Sequence, residues 1–517
     1  MMIRKEKIKK MKLHPALVFL FLTIVVMIIS SIGGILNLET HYYTVNTVSG
    51  DLENNSIVIN NLFNRTGIQY LISNMLNNFI TFAPLGTIIL GLMGIGVAYK
   101  SEFLKSLNKI ISKHIPRKII TFLIVLLGVI FSMFPEPGYV ILIPLAAILF
   151  TCLERHPSAG ICAAFAGLTF GYGANIFANS LDSSLSPYTI SAIKILDKTY
   201  KFNINGNVIL MIISSFIISY IGMIVTEKYI IPKLGKYNYD EEELVEIRKE
   251  LTSKEKKGVI ISILALIIIL FPVLYCIIPN LPFSGLLLNL KADNFNSQLF
   301  GTESYFYQGS VIMFSGLLMF AGLIYGLRVK TIRNNRDFVD GMNYYLKDLS
   351  SILVLIFFAA QFCLIFKQTN IGIFLLSLIT EFVGKMKLTG IALIFVTYLI
   401  TAIANLLVPT SGTKWAILSP IIVPMFMQSS LTPEFSVAVF RAADSATKGI
   451  TPLFTYFVIL VGFLQIYNKK KNDVVTIKDA LKLMIPYTIA YTVLWFVIIL
   501  SFYLLGLPIG FSTSTVL

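Results

Sequence analysis

The chain has 517 residues, of which 56% are hydrophobic and 13% are charged, and its mean hydropathy is +0.78. Soluble domains carry about 45–50% apolar and about 25% charged residues, so this composition excludes a soluble enzyme, a disordered protein and a fibrous protein. A polytopic membrane protein remains. Lysine and arginine number 42 against 27 acidic residues, a net charge of +15, and such an excess is typical of basic cytoplasmic loops.

The sequence contains no pattern typical of an enzyme or a metal centre. The four cysteines lie in apolar stretches without a CxxC pair, and the four histidines are scattered among loops and span ends. Walker A, GxGxxG, HExxH and GxSxG motifs do not occur in the sequence. We therefore predict no enzyme, no cofactor other than Na⁺ as a coupling ion, and no nucleic-acid partner.

The N-terminus is basic and leads into a long apolar run from Ala16 to Ile32. This run is longer than the roughly 7–15 residues of a signal-peptide core, and no small-x-small cleavage site ends it. We predict an uncleaved first span in the cell (inner) membrane, with a cytoplasmic N-terminus, because six basic residues precede the run. These residues are Arg4, Lys5, Lys7, Lys9, Lys10 and Lys12.

Apolar runs of about the length of a membrane span lie at 16–36, 82–99, 118–134, 138–153, 207–231, 258–279, 308–327, 349–366, 388–406, 414–428, 452–467 and 483–505. Basic clusters indicate the cytoplasmic side at 100–118, 228–257, 328–336 and 469–471. The stretches 37–80 and 280–307 carry few bases, so we predict that they lie outside.

We predict a single integral membrane transporter unit over 1–517. Its parts are first spans at 16–153, a re-entrant hairpin and broken span at 157–200, central spans at 207–327 with a cytoplasmic loop at 232–257, a second hairpin with broken helices and the substrate site at 349–467, and a last span at 480–505. Within these parts, we predict that the first hairpin spans about 157–195. We predict that the second lies among 349–400 and enters the membrane from the opposite side. The alternative for 176–206 is a polar external loop.

The two halves of the chain contain a similar interruption. The letters PEPG at 135–138 precede an apolar run that ends at Pro157, and PTSG at 409–412 precedes one that ends at Pro433. Gly/Pro-broken segments at corresponding positions of two halves point to an inverted-repeat transporter with a binding site near the midplane.

Three ionisable residues inside the apolar segments stand out, because each costs about 2.5–3.5 kcal/mol at the centre of a spanning helix. Arg441 and Asp444 lie three residues apart, so on a helix they share a face and partly neutralise each other. Either this pair only holds helices together, or Arg441 is a fixed cation for an anionic substrate while Asp444 holds a proton or a cation. Asp182 has no basic partner within one turn. It therefore faces water or a coupling ion, or it is a loop aspartate.

The break at 409–413 offers backbone N–H groups and hydroxyls at the start of the helix 414–428, and helix N-termini attract anions. Trp415 lies near the start of that helix and would stack on a flat ring, anchor an interface or fill the core. Asn405 and Asn175 are buried amides, and amide oxygens are common Na⁺ ligands in transporters.

Four segments resemble the AbgT-type p-aminobenzoyl-glutamate transporter family, and in order they cover the chain from His14 to about Tyr467. They are NNFITFAPLGTIILGLMGIGVAYKSEFL, FPEPGYVILIPLAAILFTCLERHPSAGICAAFAG, ILVLIFFAAQFCLIFKQTNIG and KWAILSPIIVPMFMQSSLTPEFSVAVFRAADSATKGITPLFTYF.

The resemblance implies an all-α polytopic membrane protein with about nine transmembrane helices and two re-entrant helical hairpins. It implies a homodimer in the lipid bilayer that imports p-aminobenzoyl-glutamate or exports sulfonamide antimetabolites, driven by a sodium or proton gradient. Family functional positions match Asp182, Asn405, Trp415, Arg441, Asp444 and Pro452 in residue type. One position departs from the family pattern: the serine expected three residues before the tryptophan is Gly412, beside Ser411 and Thr413.

We therefore predict a secondary active transporter of p-aminobenzoyl-glutamate-like aromatic carboxylates or sulfonamides, with an ion-coupled transporter of dicarboxylates such as citrate or succinate as the alternative. A membrane enzyme and a passive channel are the remaining rivals. The predicted substrate-binding residues are Arg441, Trp415, Ser411, Gly412, Asn405 and Pro452. The predicted ion-coupling residues are Asp182, Asp444, Asn175 and Asn405.

Overall fold

The structure is a computed structural model that describes residues 12–47, 50–292, 294–469 and 474–517. Within those residues, eight helices are long and apolar enough to cross a membrane, or nine if the bent pair 335–348 and 352–368 counts as one span. The prediction of a polytopic, mainly helical membrane protein is confirmed. The predicted basic residues before the first span other than Lys12, together with Lys470 and Lys471, lie outside the described residues.

The predicted apolar runs each overlap a helix. The helices of the first half are α1 (Pro15–Ile35), α2 (Arg65–Ile80), α3 (Ala83–Lys100), α4 (Phe103–His114), α5 (Arg117–Phe131), α6 (Pro135–Pro137), α7 (Ile143–Cys152), α8 (Pro157–Phe170), α9 (Ser180–Ile193), α10 (Val208–Val225), α11 (Ile231–Leu234), α12 (Glu241–Arg248) and α13 (Ser253–Tyr275). Those of the second half are α14 (Phe295–Phe300), α15 (Tyr305–Gln308), α16 (Ser310–Val329), α17 (Asn335–Asn343), α18 (Leu349–Gln368), α19 (Ile371–Gly384), α20 (Gly390–Leu407), α21 (Ser411–Gln428), α22 (Pro433–Thr447), α23 (Phe457–Ile466) and α24 (Ile477–Leu504). Single π-helical turns join α6 to α7 and α10 to α11, and 3₁₀ turns precede α18 and follow α22.

One β-hairpin departs from the all-α prediction. Strands β1 (Glu39–Val45) and β2 (Leu52–Val58) pair antiparallel, with Glu39 opposite Val58. Threonine, tyrosine and valine in β1 favour an extended chain. The hairpin lies within the stretch predicted as an external loop, and β1 packs on α19 and α21.

Helices α5 and α7 form hairpin 1 (117–152), whose two ends meet at one face of the molecule. Arg155, which follows α7, donates from Nη1 to the carbonyl oxygen of Arg117 at 3.3 Å and to Thr121 Oγ1 at 3.0 Å. We call this face the basic face, because the connections around it carry Lys109, Arg117, Arg155, Arg248 and Lys469.

Helices α8 and α9 form interrupted helix 1 (157–193), which crosses from the basic face to the opposite side. The His156 ring lies 5.0 Å from that of Tyr237 at the basic face. At the other end, Lys194 lies beside Gly50 in the β-hairpin loop, so we call that side the β-hairpin face. Residues 171–179 between the two helices contain two glycines and two asparagines, which disfavour helix.

The second half repeats this order. Helices α20 and α21 form hairpin 2 (390–428), since the backbone N–H of Gly390 donates to Ser429 Oγ at 2.9 Å. Helices α22 and α23 form interrupted helix 2 (433–466). Its start lies at the β-hairpin face, where Glu434 accepts a 2.8 Å hydrogen bond from the hydroxyl of Tyr200. Its end leads to the basic face, so interrupted helix 2 runs opposite to interrupted helix 1.

A hairpin followed by an interrupted helix therefore occurs twice in opposite orientations. The echo of PEPG and PTSG falls at the two hairpin tips, and Pro157 and Pro433 begin the two interrupted helices. The hairpin limits predicted from the sequence differ from the observed ones. The segment 157–195, predicted as the first hairpin, contains interrupted helix 1, and the second hairpin, predicted among 349–400, spans 390–428. Apolar periodicity does not reveal whether two helix ends meet at one face, because that depends on contacts between distant residues.

Hairpin 1 and interrupted helix 1 pack closely through glycines of α5 and α8. A Cβ atom on Gly167 would collide with the carbonyl oxygen of Val125 and lie 3.0 Å from the Cα of Gly128. Backbone atoms cannot yield as a flexible side chain can, so the close approach of the two helices requires glycine here.

We expect Gly167→Val to lower the thermal unfolding temperature of the purified protein by several degrees, because overpacking of this kind costs about 1–3 kcal/mol. Gly316→Ala is the control, since a Cβ at Gly316 in α16 meets no atom within 4 Å. That variant should match or slightly exceed the wild type, because alanine in a helix interior is favoured by about 0.5–1 kcal/mol. Equal unfolding temperatures for Gly167→Val and the wild type would contradict the packing argument.

Candidate functional site

A cavity of about 670 Å³ lies between the tips of the two hairpins and the interruptions of the two helices. Thr47 from the β-hairpin loop is part of its wall, so the cavity reaches towards the β-hairpin face. The lining residues are Thr47, Pro135, Tyr139, Tyr172, Ser180, Ser183, Ser184, Pro187, Tyr188, Thr302, Tyr307, Pro409, Thr410, Ser411, Gly412, Thr413, Lys448, Phe454, Thr455 and Tyr456.

The cavity wall combines aromatic rings with hydroxyl groups. The rings of Tyr139 and Tyr456 are stacked with their centroids 4.4 Å apart and an interplanar angle of 9°. Tyr139 comes from hairpin 1 and Tyr456 from the break of interrupted helix 2, so this stack joins the two repeats. A mostly apolar wall with a few placed polar groups is typical of a site for a small molecule.

Lys448 is the one lysine, arginine, aspartate, glutamate or histidine among the lining residues that the structure describes. Its Nζ lies 4.0 Å from the ring centroid of Tyr172, within the range of a cation–π interaction. Beside it, α21 begins at the cavity, and its N-cap Thr410 makes no side-chain capping hydrogen bond. The first N–H groups of a helix have no intrahelical acceptor, so this helix start and Lys448 both favour an anion in the cavity.

Arg441 and Asp182 form a buried ion pair between the two repeats. Arg441 Nη1 pairs with Asp182 Oδ1, and its Nε donates to the carbonyl oxygen of Gly173 at 3.2 Å. Asp182 Oδ2 accepts the backbone N–H of Asn179 at 2.8 Å, which completes a capping box at the start of α9. The pair thus fixes α22 against the interruption of helix 1.

Asp444 lies in a second buried cluster, which connects hairpin 2 to interrupted helix 2. Its Oδ1 pairs with Lys414 Nζ, while its Oδ2 accepts from Ser411 Oγ at 2.7 Å and from Lys448 Nζ at 3.2 Å. Lys414 also donates to Asn405 Oδ1 at 2.5 Å. Asn405 Nδ2 in turn donates to the carbonyl oxygen of Asp444. Both the oxygen and the nitrogen of the Asn405 amide therefore have hydrogen-bond partners.

The ion pairing differs from the pattern expected from the sequence. We expected Arg441 and Asp444 to share a helix face and partly neutralise each other, and the sequence offered Asp182 no basic partner within one turn. Among the described residues, Arg441 instead pairs with Asp182, and Asp444 pairs with Lys414 and Lys448. The Asp182 partner is 259 positions away in the chain, so local spacing could not reveal it.

The structure places the other predicted residues around these clusters. Ser411 and Gly412 lie on the cavity wall, and a Cβ on Gly412 would meet no atom within 4 Å, so a serine fits there. Trp415 is fully buried; it packs on Phe440 and donates from Nε1 to Thr189 Oγ1 at 2.8 Å.

Asn175 and Pro452 make hydrogen bonds to helices outside the two ion clusters. The Asn175 amide nitrogen bonds to the end of α5, at 3.2 Å from the carbonyl oxygen of Val129. The carbonyl oxygen of Pro452 accepts a weak 3.8 Å hydrogen bond from the thiol of Cys363 on α18. For these two residues and for Trp415, the predicted roles in ion coupling and substrate binding stay predictions.

The sequence alone assigned no role to Lys448, and for Lys414 it left open a pairing with the substrate or an extension of the side chain to the membrane interface. The spacing of Asp444 and Lys448, four residues apart at the end of α22, is the signal that could have revealed their ion pair. The tyrosines of the wall carried no comparable signal, because tyrosines are frequent in this chain and mark no face by their spacing.

The five ionisable residues of these two clusters carry one positive charge in excess. Asp182 and Asp444 carry two negative charges, and Arg441, Lys414 and Lys448 carry three positive charges. Of the three cations, Lys448 is the one on the cavity wall. The described residues include no group of three or more histidine, cysteine, aspartate or glutamate side chains that would hold a metal ion.

Two inverted repeats, each with a hairpin and an interrupted helix around a shared polar cavity, are an arrangement found in membrane transporters, and they define a multi-pass membrane protein of that class. The model of the AbgT putative transporter family matches residues 3–517, and the chain belongs to this family.

Known members are similar over nearly the whole chain. The p-aminobenzoyl-glutamate transport protein of Escherichia coli (strain K12) is 27% identical over 505 residues, which cover 98% of this chain and 95% of that protein. The solved structure of Neisseria gonorrhoeae MtrF, described as illuminating a class of antimetabolite efflux pumps, is 31% identical, with 98% of each chain covered and a TM-score of 0.50. The Alcanivorax borkumensis YdaH transporter is 27% identical, with 96% of this chain and 100% of that chain covered and a TM-score of 0.48.

We expect Arg441→Met and Asp182→Asn each to lower the unfolding temperature, because either change leaves one polar partner of a buried pair unmatched. Removing one member of a buried ion pair costs about 3–5 kcal/mol, and the loss should be largest for Arg441→Met, which leaves the Asp182 charge uncompensated. The double variant should be destabilised by less than the sum of the two single variants. Additive losses, measured by thermal unfolding in detergent, would show that the two side chains do not interact.

Proposed function

We propose that the protein is a secondary active transporter of aromatic carboxylates of the p-aminobenzoyl-glutamate type, or of sulfonamide antimetabolites, driven by a sodium or proton gradient. The similarity to the E. coli p-aminobenzoyl-glutamate transport protein and to N. gonorrhoeae MtrF, of a class of antimetabolite efflux pumps, supports this substrate class. The absence of ATP-binding motifs from the sequence supports a secondary mechanism.

The observation that carries the proposal is the composition of the cavity wall. Lys448 and the uncapped start of α21 provide two places for carboxylate oxygens. The rings of Tyr172 and Tyr456, which line the cavity and are only partly buried, provide faces on which an aromatic ring can stack. An aliphatic dicarboxylate such as citrate or succinate would pair with Lys448 but would leave the tyrosine rings of the cavity wall without a stacking partner. An aromatic carboxylate is therefore the favoured substrate.

In this proposal, the residues behind the wall couple the substrate to an ion. Asp182 and Asp444 are the candidate coupling carboxylates, and Arg441 is a candidate substrate cation that becomes accessible when its pair with Asp182 opens. Trp415 stacks on substrate only after α21 separates from Phe440 and Thr189. We further propose a homodimer in the inner membrane, with the basic face in the cytoplasm because lysine and arginine cluster there.

Transport into proteoliposomes tests the proposal. The wild type should accumulate radiolabelled p-aminobenzoyl-glutamate or move a sulfonamide when a Na⁺ or H⁺ gradient is imposed, and it should not do so without a gradient. Arg441→Ala and Asp182→Asn should reduce this flux at least about tenfold, since each removes a charge-assisted contact. Gradient-independent, non-saturable flux would instead indicate a channel, and unchanged flux in both variants would remove their assigned roles.

Substitution of Lys448 tests the carboxylate contact. We expect Lys448→Met to raise the apparent KM for p-aminobenzoyl-glutamate about tenfold or more, because a hydrogen bond to a charged group contributes about 1.5–3 kcal/mol. The apparent KM for a neutral sulfonamide should change much less, and Lys448→Arg should retain most of the affinity for the carboxylate. Lys385→Met is the control, since this lysine is exposed and forms its ion pair with Glu381, four residues earlier in the chain. Equal effects of Lys448→Met on both substrates would argue against a contact with the carboxylate.

A further inference from the structure

The ammonium group of Lys414 is enclosed by oxygen atoms in the interior of the protein. Its side chain has no solvent exposure, and its Nζ contacts Asn405 Oδ1 and Asp444 Oδ1. These two oxygens come from the end of α20 and the last turns of α22, so they converge from two helices that end near each other.

The same arrangement of oxygens is one that suits a bound alkali cation. Amide oxygens, carboxylates and the C-terminal ends of half-helices coordinate Na⁺ in transporters with interrupted helices. Asp444 lies near the C-terminus of α22, where the helix dipole adds negative potential. In this chain, however, the position between Asn405 and Asp444 is filled by a side chain.

A second cation at this position would meet strong repulsion. Lys448 Nζ already lies 3.2 Å from the other carboxylate oxygen of Asp444. A sodium ion added to the cluster would place three positive charges around one carboxylate in a buried environment of low dielectric. While Lys414 is present, the cluster therefore has no electrostatic need for an external cation.

We propose that Lys414 is a built-in counter-ion that takes the place of a coupling cation at Asp444, so that the Asn405–Asp444 pair is not a sodium site in this protein. Removal of the ammonium leaves Asn405 Oδ1 and one oxygen of Asp444 without their cation and converts the position into a site for Na⁺. The inference rests on the proposed function and narrows it, since it leaves Asp444 as a candidate for proton coupling only, but its test uses no transport and no substrate.

The test compares thermal unfolding of purified protein in NaCl and in choline chloride at equal ionic strength. For each protein, the measured quantity is the rise in unfolding temperature on changing from choline to Na⁺. The rise in the wild type is subtracted, which removes the effect of any sodium ion bound elsewhere, and the difference is called the sodium gain. Ligands that bind only the folded state raise this temperature. We expect Lys414→Ala and Lys414→Gln to gain a sodium-dependent rise of about 2 °C or more, while their unfolding temperatures in choline fall below that of the wild type.

Three variants serve as controls. Lys414→Arg keeps a cation at the position and should show no gain. Lys448→Ala removes the other lysine of Asp444 and should also show no gain, because Lys414 still fills the position between Asn405 and Asp444. The double variant Lys414→Ala with Asp444→Asn removes the carboxylate and should abolish the gain seen in Lys414→Ala.

The outcomes separate this inference from the proposed function. A gain in Lys414→Ala or Lys414→Gln that disappears with Asp444→Asn supports the inference, even if the protein transports none of the tested substrates. Folding of these variants in NaCl but not in choline supports it as well. Folded variants without a gain, variants that fail to fold in either salt, or a gain that persists in the double variant would overturn it.

Discussion

Two aspartates buried inside a membrane protein each require a cation, and both obtain theirs from another segment of the chain. Asp182 at the start of α9 pairs with Arg441 of α22, and Asp444 of α22 pairs with Lys414 of α21. An uncompensated charge at this depth is costly, so the segments that carry these residues must meet. This requirement brings the break of interrupted helix 1, the tip of hairpin 2 and the end of α22 together, and the cavity is the space left between them.

Polar side chains, Arg441 among them, also donate hydrogen bonds to backbone carbonyl oxygens at the helix interruptions. Arg441 Nε donates to the carbonyl oxygen of Gly173 in the first break, and Asn405 Nδ2 donates to the carbonyl oxygen of Asp444 beside the second. Trp495 Nε1 donates to the carbonyl oxygen of Phe170 at 3.0 Å, where α8 ends. Non-helical backbone at membrane depth is tolerated only where protein or water covers it. The polar residues therefore neutralise charge and stabilise the two breaks at once.

The sequence predicts the helices well and their connections less well. The long apolar runs give the bounds of the helices they overlap to within about six residues, because each span is specified locally by hydropathy. The echo at 135–138 and 409–412 also predicts two related halves. The hairpin limits depend on Arg155 reaching Arg117 and Gly390 reaching Ser429, and such contacts have no local signature. The partner of Asp182 was not predictable for the same reason, while the strands at 39–58 were overlooked in a polar stretch.

The excess positive charge of the buried clusters links the cavity to hairpin 2. Lys448 shares its ammonium between the cavity wall, Ser411 Oγ at 3.0 Å and Asp444 Oδ2 at 3.2 Å. In the proposed function, an anion bound on the wall draws on the same ammonium and brings the net charge of the cluster to zero. Binding would then weaken the tie of Lys448 to Ser411 at the tip of hairpin 2, while Lys414 still neutralises Asp444. In this proposal, two lysines on one aspartate allow a bound anion to act on the hairpin contact without exposing a buried charge.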